Sequence, residues 1–300
     1  MMTQYHNPVL LEEALQGLNI RPEGIYVDVT FGGGGHSRAL LEQLNEQGRL
    51  FAFDQDQDAH ENRIEDPRFE FVAANFGHLS HYLKYYGISS VDGILGDFGV
   101  SSHQFDEASR GFSTRNEGRL DMRMNQSQTL DAQEVLNQYS EEALSNLFFR
   151  YGELRNARKL ANKIVSFRSE HPLETTTDLI RALQPWVPQK IENKVFAQIF
   201  QAVRIEVNDE LGVLKSFLEQ AVSVLAPGGR LVCISYHSLE DRLVKRFIQS
   251  GNFEGQEEKD FYGNSLSVLQ KVGKLRVPSA DEIERNSRAR SAKLRIAEKR

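Results

Sequence analysis

The chain holds one cysteine, Cys233, in 300 residues. A single thiol excludes an intrachain disulfide framework and any CxxC metal site. Cys233 lies in a Val/Ile-rich run that reads as core, and the cytosol is the default compartment. No apolar run approaches the ~18–20 residues of a membrane-spanning helix. The first residues, Met1-Met2-Thr3-Gln4-Tyr5, lack a basic region followed by an apolar core, so a cleaved secretory signal is not expected. Composition also excludes a mostly disordered chain, since 40% hydrophobic and 26% charged residues are ordinary for a globular protein. The length suits one large domain or two unequal ones.

Net charge is −6, which taken alone argues against a nucleic-acid partner. The distribution changes that reading. Residues 271–300 carry ten Lys or Arg against four acids, so this segment is +6 and the remainder −12. A basic segment on an acidic body meets phosphate locally. The plain alternative is a solvated tail.

Ile25-Tyr26-Val27-Asp28-Val29, Leu50-Phe51-Ala52-Phe53, 69–74 and 91–95 read as strands. A helical stretch over 37–47, stopped by Gly48, separates the first two. Such alternation predicts βαβ units and a parallel sheet, with ligands at the carboxyl ends of the strands. The fifth strand, Leu231-Val232-Cys233-Ile234-Ser235, comes more than a hundred residues later, after a helix end and turn at 225–229. The interval is helical in character at 132–138, 141–150, 157–168, 177–184 and 193–203. Residues 106–205 are therefore expected to form a helical subdomain inserted into a sheet domain of residues 1–105 and 206–300. Residues 209–225 supply the helix leading back, and 251–263 read as an exposed loop.

Four strand ends carry candidate chemistry. After the first comes Asp28-Val29-Thr30-Phe31-Gly32-Gly33-Gly34-Gly35-His36-Ser37. Consecutive glycines let the backbone approach a ligand, and a helix start offers N–H groups to an anion. The dinucleotide pattern GxGxxG fails at Ser37, whereas acid-x-Thr-x-Gly-x-Gly is nearer an S-adenosylmethionine site. Asp54 ends the second strand, about twenty residues on, where an acid accepts both ribose hydroxyls of an adenosine. Asp56 and Asp58 beside it do not complete a calcium loop. Asp97-Phe98-Gly99-Val100-Ser101-Ser102 ends the fourth strand. There Asp97 could orient a target amine, Phe98 could stack on a base or serve as a core aromatic, and Gln104 could reach back to a cofactor. At the end of the fifth strand His237 could contact substrate or move a proton. A Ser/His/Asp hydrolase is disfavoured, because no GxSxG elbow exists.

Taken together, these motifs resemble the RsmH (MraW) family. The resemblance rests on His6-x-Pro8-Val9-Leu10-Leu11, Thr30 to Ser37, Phe98-Gly99-Val100-Ser101-Ser102 and Arg110-Gly111-Phe112-Ser113. It continues through Leu120-Asp121-Met122-Arg123-Met124, Phe200-Gln201-Ala202-Val203-Arg204-Ile205, His237-Ser238-Leu239-Glu240-Asp241-Arg242 and Arg288-Ala289-Arg290-Ser291-Ala292-Lys293-Leu294-Arg295. It implies an α/β, Rossmann-like, S-adenosylmethionine-dependent methyltransferase sheet domain with an inserted all-helical subdomain that recognises RNA. The implied reaction is N4-methylation of a cytidine in the decoding centre of 16S ribosomal RNA, on the small ribosomal subunit. The cofactor residues it implies are Gly34, Gly35, His36, Asp54, Phe76, Asp97 and Gln104, with Asp97 also a candidate catalytic group. Phe98, Ser101 and His237 are candidate substrate contacts, and no metal is implied. No membrane partner is expected, and a homodimer stays open. Two departures stand out. Gly96 replaces a larger aliphatic residue and is expected to loosen packing behind the site, and Ser287 replaces a common proline.

Rival readings are another amino methyltransferase using the same donor, a nicotinamide-dependent reductase, and a non-catalytic RNA-binding assembly factor. The incomplete GxGxxG speaks against the reductase. The assembly factor would not need the cofactor crevice.

Overall fold

A computed structural model describes residues 8–257, 259–263 and 266–300. His6 and the first residues lie outside the described residues. In chain order the elements are α1 (Leu11–Leu18), β1 (Ile25–Asp28), α2 (Gly35–Leu41), β2 (Arg49–Asp54), β3 (Phe69–Ala73), α3 (Leu79–Tyr85) and β4 (Val91–Asp97). Six helices follow: α4 (Ser102–Asp106), α5 (Ala132–Gln138), α6 (Glu141–Arg150), α7 (Ala157–Arg168), α8 (Thr176–Leu183) and α9 (Glu192–Asn208). The chain then runs through α10 (Glu210–Val224), β5 (Leu225–Ser235), α11 (Ser238–Ser250), β6 (Leu269–Arg276), α12 (Ala280–Arg285) and β7 (Lys293–Lys299).

It divides into two compact units. One comprises the chain up to Gly99 together with Leu211–Arg300, and the other is Val100–Glu210. The inserted unit thus begins at Val100 rather than 106 and ends at Glu210 rather than 205. The cause is local: a capping box at Ser101 starts α4 early, and α9 runs to Asn208, where the left-handed Asp209 stops it.

The sheet unit has strand order β3-β2-β1-β4-β5-β7-β6. Strands β1 to β5 pair in parallel, and β7 runs antiparallel to both β5 and β6. Parallel strands covered on both faces are apolar throughout, and β2 has four consecutive buried residues. Val27, Phe51, Phe53, Ile94 and Cys233 point into one core with Leu214, Phe217 and Phe247 of α10 and α11. Tyr26, Leu50, Leu95, Val232 and Ile234 point into the other with Leu18 and Leu40 of α1 and α2. Strand order reverses across β1, whose neighbours are β2 and β4. The carboxyl ends of β1 and β4 therefore flank a switch point, where open α/β sheets bind ligands.

The structure divides the basic segment: Lys271, Lys274, Arg285, Arg288, Arg290 and Arg300 are exposed, whereas β7 is packed. Strand β7 sits inside the sheet, with Leu294, Ile296 and Ala297 buried. Its cations are engaged: Arg295 donates to both oxygens of Asp241 at 2.7 and 3.1 Å, and Lys299 donates to the Val222 and Leu225 carbonyls at 2.7 Å. Alternation along β7 puts Lys293 and Arg295 on the face opposite the buried Leu294 and Ile296.

Within the inserted unit, α5 to α9 enclose an apolar core that includes Leu136, Leu144, Phe148, Leu160, Ile164 and Phe200. Among the described residues it holds no strand, only a bridge between Arg119 and Thr175. The family-like stretches here are architectural. Arg110 donates to the Arg123 and Met124 carbonyls, Asp121 forms a bidentate pair with Arg123, and Arg204 forms one with Glu210. Among the described residues no helix is long and apolar enough to cross a membrane.

Candidate active site

The glycine turn is held by the acid that precedes it. Asp28 is 1% exposed. Its carboxylate accepts the Thr30 N–H at 3.1 Å and the Ser37 hydroxyl at 2.7 Å, which ties the end of β1 to α2. Burial pushes its carboxyl up, against the opposing pull of His36 and Ser37. Gly34 has φ +76°, a left-handed conformation that disfavours other residues. A Cβ there would lie 2.7 Å from Arg38 Nη1 and 2.8 Å from the Phe31 ring; on Gly35 it would lie 2.3 Å from Pro8. Both positions leave backbone bare by necessity.

Two further acids end the neighbouring strands. Asp54 accepts the Gly32 N–H at 2.8 Å and the Asp56 N–H at 2.9 Å, so β2 holds the glycine turn from the other side. Burial raises Asp54 to about 6 despite these bonds. Asp56 caps the short 3₁₀ helix Gln57–Asn62 by accepting from Asp58 N–H, a structural role. Asp97, at the end of β4, is raised to about 6 by burial, with His36 and Tyr236 opposing. Its backbone N–H donates to the Thr30 hydroxyl at 2.7 Å, which joins the ends of β1 and β4.

Tyr236 is the site residue that sequence reasoning missed. Its hydroxyl donates to Asp97 Oδ1 at 2.8 Å. Burial and the Asp97 charge push the phenol well above its ordinary value, so it stays a donor. His36 is 7% exposed and donates from Nε2 to the Val9 carbonyl at 3.1 Å. That leaves Nδ1 facing Asp97 Oδ2 at 3.9 Å. The only available signal was position: Tyr236 follows β5, which lies in register beside β4.

Other candidates fall elsewhere. Phe98 is 4% exposed and packs against Phe76 and Phe217, with centroids 6.0 and 5.8 Å away. Of its two readings, the core aromatic is the one this geometry supports, since a base cannot reach a covered ring. Gly96 is not a loose spot either: a Cβ there would lie 2.6 Å from the Phe98 ring, which fills the space. Phe76 is half-buried just beyond β3. His237 caps α11 by accepting the Glu240 N–H, and Glu240 returns the bond to its backbone. Ser101 and Gln104 belong to the inserted unit, where they form a capping box with each other.

The site thus gathers Gly34, Gly35, His36, Asp54, Asp97 and Tyr236 at the carboxyl ends of four strands. Among the described residues, Asp28, Asp54 and Asp97 have no Lys or Arg partner. Asp28 and Asp54 have both oxygens bonded within the chain, whereas Asp97 Oδ2 has only His36 Nδ1 near it, at 3.9 Å, and can take a donor from outside. The hydroxyls and ammonium of an adenosyl amino acid are such donors, and bare glycine backbone admits it closely, so the residues present fit S-adenosylmethionine.

The MraW methylase family model matches residues 3–300. Proteins named ribosomal RNA small subunit methyltransferase H are similar along their whole length. The one from Christiangramia forsetii is 59% identical, covering 100% of this chain and 99% of its own. That from Flavobacterium johnsoniae is 57% identical, covering 99% and 98%. Its counterpart in Bacteroides thetaiotaomicron is 53% identical with the same coverage. On a family match spanning nearly every residue and relatives above half identity, the chain belongs to the MraW methylase family.

Proposed function

We propose that this chain transfers the methyl group of S-adenosylmethionine to N4 of a cytidine in the decoding centre (P site) of 16S ribosomal RNA, acting on the small ribosomal subunit. Membership of the MraW family makes it an S-adenosylmethionine-dependent methyltransferase. The relatives' names support ribosomal RNA as the substrate. The observation that carries the site is the pair of half-buried, cation-free carboxylates, Asp54 and Asp97, on either side of the glycine turn.

When bound, the cofactor supplies an electrophilic methyl group on a sulfonium. Asp54 would accept its ribose hydroxyls, Phe76 would flank the adenine, and Gly34, Gly35 and His36 would line its amino-acid end. The family resemblance adds Gln104 to this set. An exocyclic amine is a poor nucleophile, because its lone pair is delocalised into the ring. The chain's task is therefore orientation, holding that nitrogen in line with the methyl group. Asp97, ionised and steadied by Tyr236, is the acceptor for an N–H bond that favours the nucleophilic geometry.

The test is methyl transfer from labelled S-adenosylmethionine to small subunits lacking the modification, followed by nucleoside analysis. Label in N4-methylcytidine is expected. Label in another nucleoside would reassign the substrate to a different amino methylation. No label and no cofactor binding would leave an RNA-binding assembly factor.

A further inference from the structure

Helix α7 carries Arg158, Lys159, Lys163 and Arg168 and no acidic residue. Arg168 is used internally, donating to the Leu136 and Tyr139 carbonyls at 2.6 Å each. Lys159 and Lys163 are one turn apart and share a face. That face meets Trp186, the sole tryptophan of the chain. The two ammonium groups stand 5.1 and 4.0 Å from its ring centroid.

The indole is 41% exposed, although a tryptophan is normally well covered. A rigid turn holds it there: Trp186 ends the single-turn helix Gln184–Trp186, with Pro185 inside it and Pro188 two residues on. Among the described residues neither lysine has a carboxylate at ion-pair distance. Acids on neighbouring elements have other partners. Glu141 accepts from Asn162 at 3.0 Å, Asp178 from Thr175 at 2.9 Å, and Glu192 from Gln184 at 2.8 Å.

We infer that Lys159, Lys163 and Trp186 form a contact for single-stranded RNA, the lysines on phosphate and the indole under a base. This rests on the reading of the chain as a ribosomal RNA methyltransferase. An aromatic plate beside unpaired cations is what an unstacked strand requires. Without RNA, the negative ring face holds the lysines. Phosphate draws them away, and a base, whose stacking is the stronger contact, takes the plate.

Because the chain has no other tryptophan, the difference between its emission and that of the Trp186→Phe variant under the same titration reports this site alone. The full chain is titrated with unmodified small subunits and, separately, with a single-stranded RNA oligonucleotide of decoding-centre sequence. Both should change this difference. The double variant Lys159→Ala, Lys163→Ala should raise KM for subunits about tenfold and reduce the salt slope by about 1.4, the value for two lost phosphate contacts to a single strand. Its kcat and its affinity for S-adenosylmethionine should not change. Trp186→Phe should retain a low KM, and Trp186→Ala should not. An unchanged difference with subunits that the wild type methylates would overturn the inference. So would an unchanged KM and salt slope in the double variant. A response to subunits but not to the oligonucleotide would assign the surface to a ribosomal protein, and the RNA contact would fall. A wild type that does not methylate subunits, yet responds to the oligonucleotide, would sink the enzymatic reading and leave the contact standing.

Discussion

Asp97 is raised to about 6 from an ordinary 3.8. The folded chain therefore holds a proton that the unfolded chain releases between about pH 4 and 6. Its ionisation weakens the fold as pH rises through that window, and the cost is fully present above 6. Asp97→Asn removes it, and an amide fits the same neighbours: its oxygen can accept from Tyr236 and its NH₂ can face His36 Nδ1. At pH 7.5 the variant should melt about 2 °C higher and turn over at least a hundredfold more slowly. Scanning calorimetry beside the transfer assay checks both, and a destabilised but active variant would contradict the assignment. Tyr236→Phe withdraws a donor from the charged form. The acid limb of kcat/KM should then move up by about one unit, since a hydrogen bond to a charged group is worth about 1.5 kcal/mol. An unmoved limb in a folded variant would show that Asp97 does not set it. Sequence reasoning found Asp97 because acids at strand ends are a known pattern. It missed Tyr236 because adjacency of β4 and β5 is not local in sequence, and it left Phe98 open because an aromatic at a strand end suits both core and site.

Elements were legible where local signals agree. Helices α5, α6 and α7 have the bounds their apolar spacing predicts, and α5 and α6 are capped by Asp131 and Ser140. Strands β6 and β7 were not legible, because segments so rich in Lys and Arg read equally as a solvated tail. Only tertiary pairing distinguishes the two. Against β7, Asp241 of α11, 9% exposed, meets Arg295 and Lys293. Burial works against its charge, but Arg295 and Lys293 more than compensate and hold the carboxyl below its ordinary value. The stability this gives is present above the unfolded value near 4 and is lost as pH falls through the folded one. Arg295→Met should cost about 3 kcal/mol at pH 7, because it strands most of a buried charge. Urea unfolding should show that deficit shrinking toward pH 3. A constant deficit would mean that packing, not the ion pair, is what was lost.

For the molecule as a whole, a net charge of −6 conceals cation-rich surfaces such as that of α7. Attraction to phosphate must then be local and screened by salt. Affinity for small subunits should fall at least tenfold between 50 and 200 mM salt. A filter-binding series checks this, and a flat series would remove phosphate contacts from the account. The general architecture was legible from the alternation of strands and helices and from the gap before the fifth strand, which an inserted unit fills. The order of the sheet has a consequence for how the chain is made. Strand β7 is last in sequence, yet it lies between β5 and β6. During synthesis β6 leaves the ribosome with no neighbour to pair with, and β5 has one edge open until β7 follows. The sheet thus cannot close until β7 has left the ribosome. A chain cut short ahead of Lys293 would present two unpaired strand edges, a species for chaperones and proteases instead of a slower enzyme.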